Sequence, residues 1–238
     1  MLSRFLSVLR PSRTVPITSW TATSRWSLNP IRVTILIVGL GLFGFGDALL
    51  VQSTLGNSPW TVLAQGITIR THLPIGWVTF GISILVLAGW IPLKSRPGFG
   101  TLANIVVIAL FLQIGTEIFP VERHTLWIRL LYVLGGIAII GIGSALYITC
   151  GLGPGPRDGL MTGIHRVTGV RVGRVRLMIE ILAMGIGWLL GGRIGVGTLL
   201  FALLIGNSVA ISLGLVQKLP LAESARSESS NPEIAEPE

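Results

Sequence analysis

The sequence predicts an all-α transmembrane protein of six spans and two short re-entrant or interfacial helices, built from two inverted three-helix repeats. Three observations predict it. The 238 residues are 50% hydrophobic and only 12% charged, with a mean hydropathy of +0.76; soluble domains carry about 25% charged residues, so a surface this poor in charge belongs in a bilayer. Apolar runs of about 20 residues, the length that crosses the hydrocarbon core, recur along the chain. The chain also resembles itself at a fixed shift of 97 residues, the kind of regularity that sets architecture.

Residues 1–31 carry Arg4, Arg10, Arg13 and Arg25 and no acid. Their apolar pieces are too short for a signal peptide, and they read as a basic, disordered cytoplasmic tail, with a mitochondrial presequence as the minor alternative. The spans follow at about 33–51, 75–93, 101–119, 126–148, 175–190 and 198–216. Trp77, Trp90, Trp127 and Trp188 fall near run ends, where indole rings favour the membrane interface. Residues 218–238 are polar, with several Pro, Glu and Ser, and are expected to be disordered. The two three-span units cover 32–119 and 126–217.

Of the 18 Lys and Arg, 14 fall on the side of the N-terminus if the spans alternate. The positive-inside rule then places both termini and the loop around residues 153–174 in the cytoplasm of a bacterial inner membrane. The same rule explains the net charge of +8 without nucleic acid, for which no basic stripe with interleaved aromatics exists. Cys150 is the lone cysteine and the three histidines are scattered, so neither a metal centre nor a disulfide is expected. No nucleophile with a base partner and no nucleotide loop is present, so neither an enzyme nor a cofactor is expected.

At the shift of 97, Gly44, Gly46 and Ala48 fall on Gly141, Gly143 and Ala145, and Leu55, Gly56 and Pro59 fall on Leu152, Gly153 and Pro156. Gly98, Gly100 and Thr101 fall on Gly195, Gly197 and Thr198. Three spans per unit is an odd number, so the second copy is inverted, an arrangement that recurs in transporters. Gene duplication as a simple route to six helices is the plainer explanation.

Each unit places a Gly/Pro turn before a short segment, 59–69 in one and 156–167 in the other. Such a segment spans only about 16–18 Å and is too short to cross. Pro59 and Pro156 suit a helix start, where the missing N–H has no partner to lose. Arg157 and Asp158 stand where the first copy has Trp60 and Thr61. A helix start with Arg157 attracts an anion; a tight turn with a local Arg157–Asp158 ion pair is the competing interpretation.

Polar groups within spans are functional candidates because lipid makes them costly. Asp47, Glu180, Asn104 and Asn207 are these groups. Helix–helix hydrogen bonds are the more ordinary account of them, and Glu180 has Arg176 one turn away to pair with.

The run Gly151-Leu152-Gly153-Pro154-Gly155-Pro156-Arg157-Asp158-Gly159-Leu160-Met161-Thr162-Gly163, with Gly195-Val196-Gly197-Thr198 later, resembles the YczE/YyaS/YitT group of bacterial membrane proteins. The resemblance covers about residues 32–216 and implies a multi-pass protein of the cytoplasmic membrane. It supplies no catalytic residues. The expectation is therefore a carrier of an unidentified small solute, an anion being one suitable class, with its site at the repeat interface; the alternative is a non-transporting scaffold or accessory protein.

Overall fold

The computed structural model describes residues 14–123 and 125–218. Residues 1–13 and 219–238, most of the two expected tails, lie outside the described residues. Eight helices run in order: α1 (Pro30–Ser53), α2 (Pro59–Thr71), α3 (Ile75–Ala88), α4 (Phe99–Ile118), α5 (Leu126–Thr149), α6 (Pro156–Thr168), α7 (Val172–Leu189) and α8 (Val196–Val216). No strand occurs among the described residues. Four of the helices, α1, α4, α5 and α8, are long and apolar enough to cross a membrane. The bent pair α2 and α3, turning by 119° at a short break, makes a fifth if taken as one broken span.

Two expected spans come out differently. The second was expected over 75–93, but α3 ends at Ala88 and a run of turns carries the chain to the start of α4. The fifth is α7, which is 18 residues long but carries Arg174, Arg176 and Glu180 and is not among the four helices long and apolar enough to cross. The bilayer-facing character is clear elsewhere. Trp77, Leu85, Trp127, Leu131, Trp188 and Leu189 are all exposed, more apolar surface than a water-soluble monomer presents. Trp90 departs from the interfacial expectation. It is buried, and its indole N–H donates to the Pro156 carbonyl at 2.9 Å.

The shift of 97 residues reappears in the backbone. α2 and α6 start and stop 97 residues apart, and so do the starts of α3 and α7 and of α4 and α8. Every residue with φ in the left-handed region also has its counterpart there: Thr54 and Gly151, Gly56 and Gly153, His72 and Gly169, Lys94 and Gly191. In three of these pairs only one copy is glycine. The chain path therefore sets the conformation, and Thr54, His72 and Lys94 bear the cost of roughly 1–2 kcal/mol that a Cβ brings there.

Glycines set how the helices cross. A Cβ on Gly39 would lie 2.9 Å from the Gly143 carbonyl oxygen, and one on Gly143 would run into the Gly39 carbonyl. Gly46 and Gly136 meet in the same way, each facing the other's carbonyl oxygen at 2.7 Å. The four glycines are two pairs 97 apart, crossed over: each touches the counterpart of the other. This reciprocal pattern brings α1 and α5 to backbone contact as small residues allow. The outer contacts obey it too. Gly100 N–H donates to Leu152 O and Gly197 N–H to Leu55 O, both at 2.9 Å.

Residues 14–29 correct the expectation of a disordered tail over that range. Trp20 and Thr18 are buried. Trp20 donates its indole N–H to Thr149 Oγ1 at 3.1 Å, Ala22 N–H donates to Cys150 O, and Arg32 reaches back to the carbonyls of Trp20, Thr21 and Ser27. This segment straps the α5–α6 junction and sets the loop that launches α6.

Candidate functional site

The loops before α2 and α6 bring their helix starts together. Asn57, Ser58 and Trp60 are buried on one side, Gly155 and Pro156 on the other. The Arg157 guanidinium lies over the Trp60 ring, 4.8 Å from its centroid. These two residues are 97 apart, so the stack joins equivalent positions of the two halves. A cation on an indole face gains about 0.5–2 kcal/mol, and the stack fixes the plane of the guanidinium.

Around this stack lies a cavity of about 280 Å³. Much of its wall comes in pairs 97 apart: Phe43 and Ile140, Ser58 and Gly155, Pro59 and Pro156, Ser83 and Glu180, Asn104 and Phe201, Ile108 and Ile205. The first-half member of each pair is neutral, while the second half supplies Arg157, Asp158, Arg176 and Glu180.

Arg157 lines the cavity and makes no hydrogen bond and no ion pair within 4.0 Å among the described residues. The expected Arg157–Asp158 pair does not form. Asp158 accepts one long hydrogen bond, 3.4 Å from Tyr147 Oη to Oδ2, and its other oxygen takes none among the described residues. Glu180 accepts from Arg176 Nε at 2.8 Å through Oε1, as the one-turn spacing predicted. Such an exposed helix pair contributes only about 0.3–0.5 kcal/mol.

Six of the eight residues singled out in the sequence, Pro59, Asn104, Pro156, Arg157, Asp158 and Glu180, line this one cavity. Asp47 stands one layer behind, buried, with Ser58 Oγ donating to its Oδ1 at 3.4 Å and Ser58 in turn bonded to Thr61 at 2.8 Å. Its counterpart Ser144 does line the cavity. Asn207 is the correction. It is exposed and outside the cavity wall, because hydropathy cannot say which face of an apolar helix turns inward. Sequence reasoning missed Trp60, Tyr147, Ser83 and Arg176. Trp60 was findable as the counterpart of Arg157.

Among the described residues no cluster of His, Cys, Asp and Glu suits a metal ion. Cys150 is buried and far from a reacting role, with its thiol turned to the Leu146 carbonyl. The cavity wall offers donors and acceptors of both signs on one side and apolar side chains on the other.

Comparison with known proteins agrees with a membrane location and leaves the activity open. Residues 30–213 match the family described as "Family of unknown function (DUF6198)". An uncharacterised protein of Haemophilus influenzae is 49% identical over 208 residues, covering 87% of this chain and 95% of that protein. The uncharacterised membrane protein YczE of Bacillus subtilis is 34% identical over 186 residues, 77% of this chain and 86% of its own. YyaS of the same organism is 24% identical over 196 residues, 79% and 96%. No solved structure matches the chain. With its membrane-crossing helices and its Gly-Pro-Gly-Pro-Arg-Asp-Gly loop, the chain belongs to the YczE-like family of membrane proteins.

Proposed function

We propose that the protein is a small-solute transporter of the bacterial cytoplasmic membrane, with six crossings, two inverted repeats, both termini inside and the solute site in the cavity between the repeats. The crossed glycine contacts and the paired cavity walls support the inverted repeat. Sites between inverted repeats, flanked by short helices, recur among transporters. A dry, closed junction would have favoured a scaffold; a cavity with four charged side chains in its wall favours transport.

One observation carries the reading. The two halves follow the same path but pack α3 and its counterpart α7 differently. In the first half, Gly76 of α3 is pressed onto α4: its N–H donates to Gln113 Oε1 at 2.9 Å, and a Cβ there would lie 2.6 Å from Gln113 Cβ. Gly173 of α7 is its counterpart, and nothing lies within 4 Å of where its Cβ would stand. α7 has swung off α8, and Arg176 and Glu180 on α7 face Ile205, Gly206 and Val209 on α8 across the cavity. A pseudosymmetric molecule with one gate shut and the other open has a mirror state in which the roles exchange. That exchange is alternating access.

In the mirror state Gly173 rests on α8 at Ala210, the counterpart of Gln113. Disulfide trapping tests this. Gly173→Cys with Ala210→Cys, in a Cys150→Ala background, is expected to cross-link in membranes. Absence of the cross-link under oxidising conditions, in a double variant that folds and inserts, would leave a single rigid state and refute the reading.

A further inference from the structure

We infer that the cavity takes a small zwitterion of the α-amino-acid class, its carboxylate on Arg157 and its ammonium on Asp158 and Glu180. This names the substrate class for the transport reading above and rests on it. The observation is the coexistence, in one cavity wall, of an unpaired cation and unsatisfied carboxylate oxygens. Arg157 and Asp158 are neighbours in sequence and both line the cavity, yet no ion pair within 4.0 Å joins them among the described residues. Successive helical residues diverge by about 100° around the axis, which keeps the two charges apart and leaves room for a ligand bearing the opposite pair.

The charge balance selects the class. The wall carries Arg157 and Arg176 against Asp158 and Glu180, with Asp47 behind Ser58. A simple anion drawn to Arg157 would meet the carboxylates, and a simple cation drawn to these would meet the arginines; like charges placed together exclude such partners. A zwitterion answers both signs. Trp60 covers one face of the guanidinium and leaves its N–H edge for a two-pronged carboxylate contact. Asp158 and Glu180 each have an oxygen free to accept from an ammonium.

Size and lining narrow it further. A volume of 280 Å³ equals roughly nine water molecules in the liquid, which suits an amino acid with a short side chain. Phe201, Ile205 and Val209 on α8 form an apolar wall for an aliphatic arm.

The test uses the full chain, purified in detergent and reconstituted in vesicles. Thermal shift and calorimetry are run with α-amino acids from alanine to leucine, each beside the carboxylic acid lacking its amine and the amine lacking its carboxylate. The expected result is that at least one amino acid binds roughly tenfold or more tightly than both of its single-charge partners, the ratio set by one lost charged hydrogen bond. Equal binding of the matched acid would overturn the inference in favour of a plain anion site, equal binding of the amine in favour of a cation site, and binding of no probe would overturn it outright. Asp158→Asn is expected to weaken the amino acid roughly tenfold while leaving the matched acid no weaker; loss of both together would contradict the assignment. Because the probe comparison uses the unmodified chain, it holds even if a variant fails to fold. Vesicle uptake separates the two claims. An amino acid that binds but is not moved sinks the transport reading alone, whereas saturable uptake of a single-charge solute alone sinks the zwitterion.

Discussion

Gly135 and Gly136 are neighbours in α5, and the packing of α1 on α5 predicts that they respond to alanine with opposite signs. A Cβ on Gly136 would stand 2.7 Å from the Gly46 carbonyl oxygen, about 0.7 Å short of a relaxed C···O contact. Neither side is a flexible side chain, so the two helix backbones must part. Forcing a methyl into such a contact costs about 1–3 kcal/mol. At Gly135 nothing lies within 4 Å of the added atom, and φ there is not left-handed. Gly135→Ala therefore keeps only the helix-propensity gain of about 0.4–1 kcal/mol. The propensity gain is common to both glycines, so the adjacent substitutions should differ by the steric cost alone, about 1–3 kcal/mol. Thermal or denaturant unfolding of the two purified variants in one detergent measures the difference. If both variants are equally stable, or Gly136→Ala is the more stable, the glycine crossing is not where the structure puts it.

Three other outcomes follow from particular contacts. Thr101 Oγ1 donates to Pro154 O at 2.7 Å and accepts from Gly98 N–H at 3.2 Å, so Thr101→Val should lower stability by about 1–3 kcal/mol in the same unfolding assay. Its counterpart Thr198 has only the Gly195 N–H at 3.3 Å, so Thr198→Val should cost less. Trp90→Phe removes the bond to Pro156 O at the start of α6 and should cost about 1–3 kcal/mol, read by unfolding and by faster proteolysis in the α6–α7 segment. Arg176→Gln, with a side chain 56% exposed in its one-turn pair, should shift stability by less than about 0.5 kcal/mol; a larger loss would mean that Arg176 has a structural role the geometry does not give it.

How far the sequence foretold this depends on the physics of each signal. The starts of α2 and α6 were legible because proline after a Gly/Ser turn fixes a helix start at one residue. The meeting of the two loops was legible because the shift of 97 residues pairs Trp60 with Arg157. The end of α3 was not. Hydropathy continues to Leu93, but Trp90 turns inward onto Gly159, where even a methyl would collide with its ring, and the chain turns there instead of remaining helical. The strap over 14–29 was hidden because its Arg- and Ser-rich composition resembles a tail, and only burial of Trp20 separates the two. Asn207 and Asp47 show the limit for polar groups in apolar helices. Their cost in lipid flags them equally, yet α8 turns Asn207 outward while Asp47 is buried behind Ser58.

Ser144 lines the cavity and has no thiol near it other than the buried Cys150. A Ser144→Cys, Cys150→Ala variant labelled with a membrane-impermeant methanethiosulfonate, in right-side-out and in inverted vesicles, tests the account most directly. Alternating access between two repeats predicts labelling from both faces. Labelling from neither face, or from one face under every condition, would contradict it.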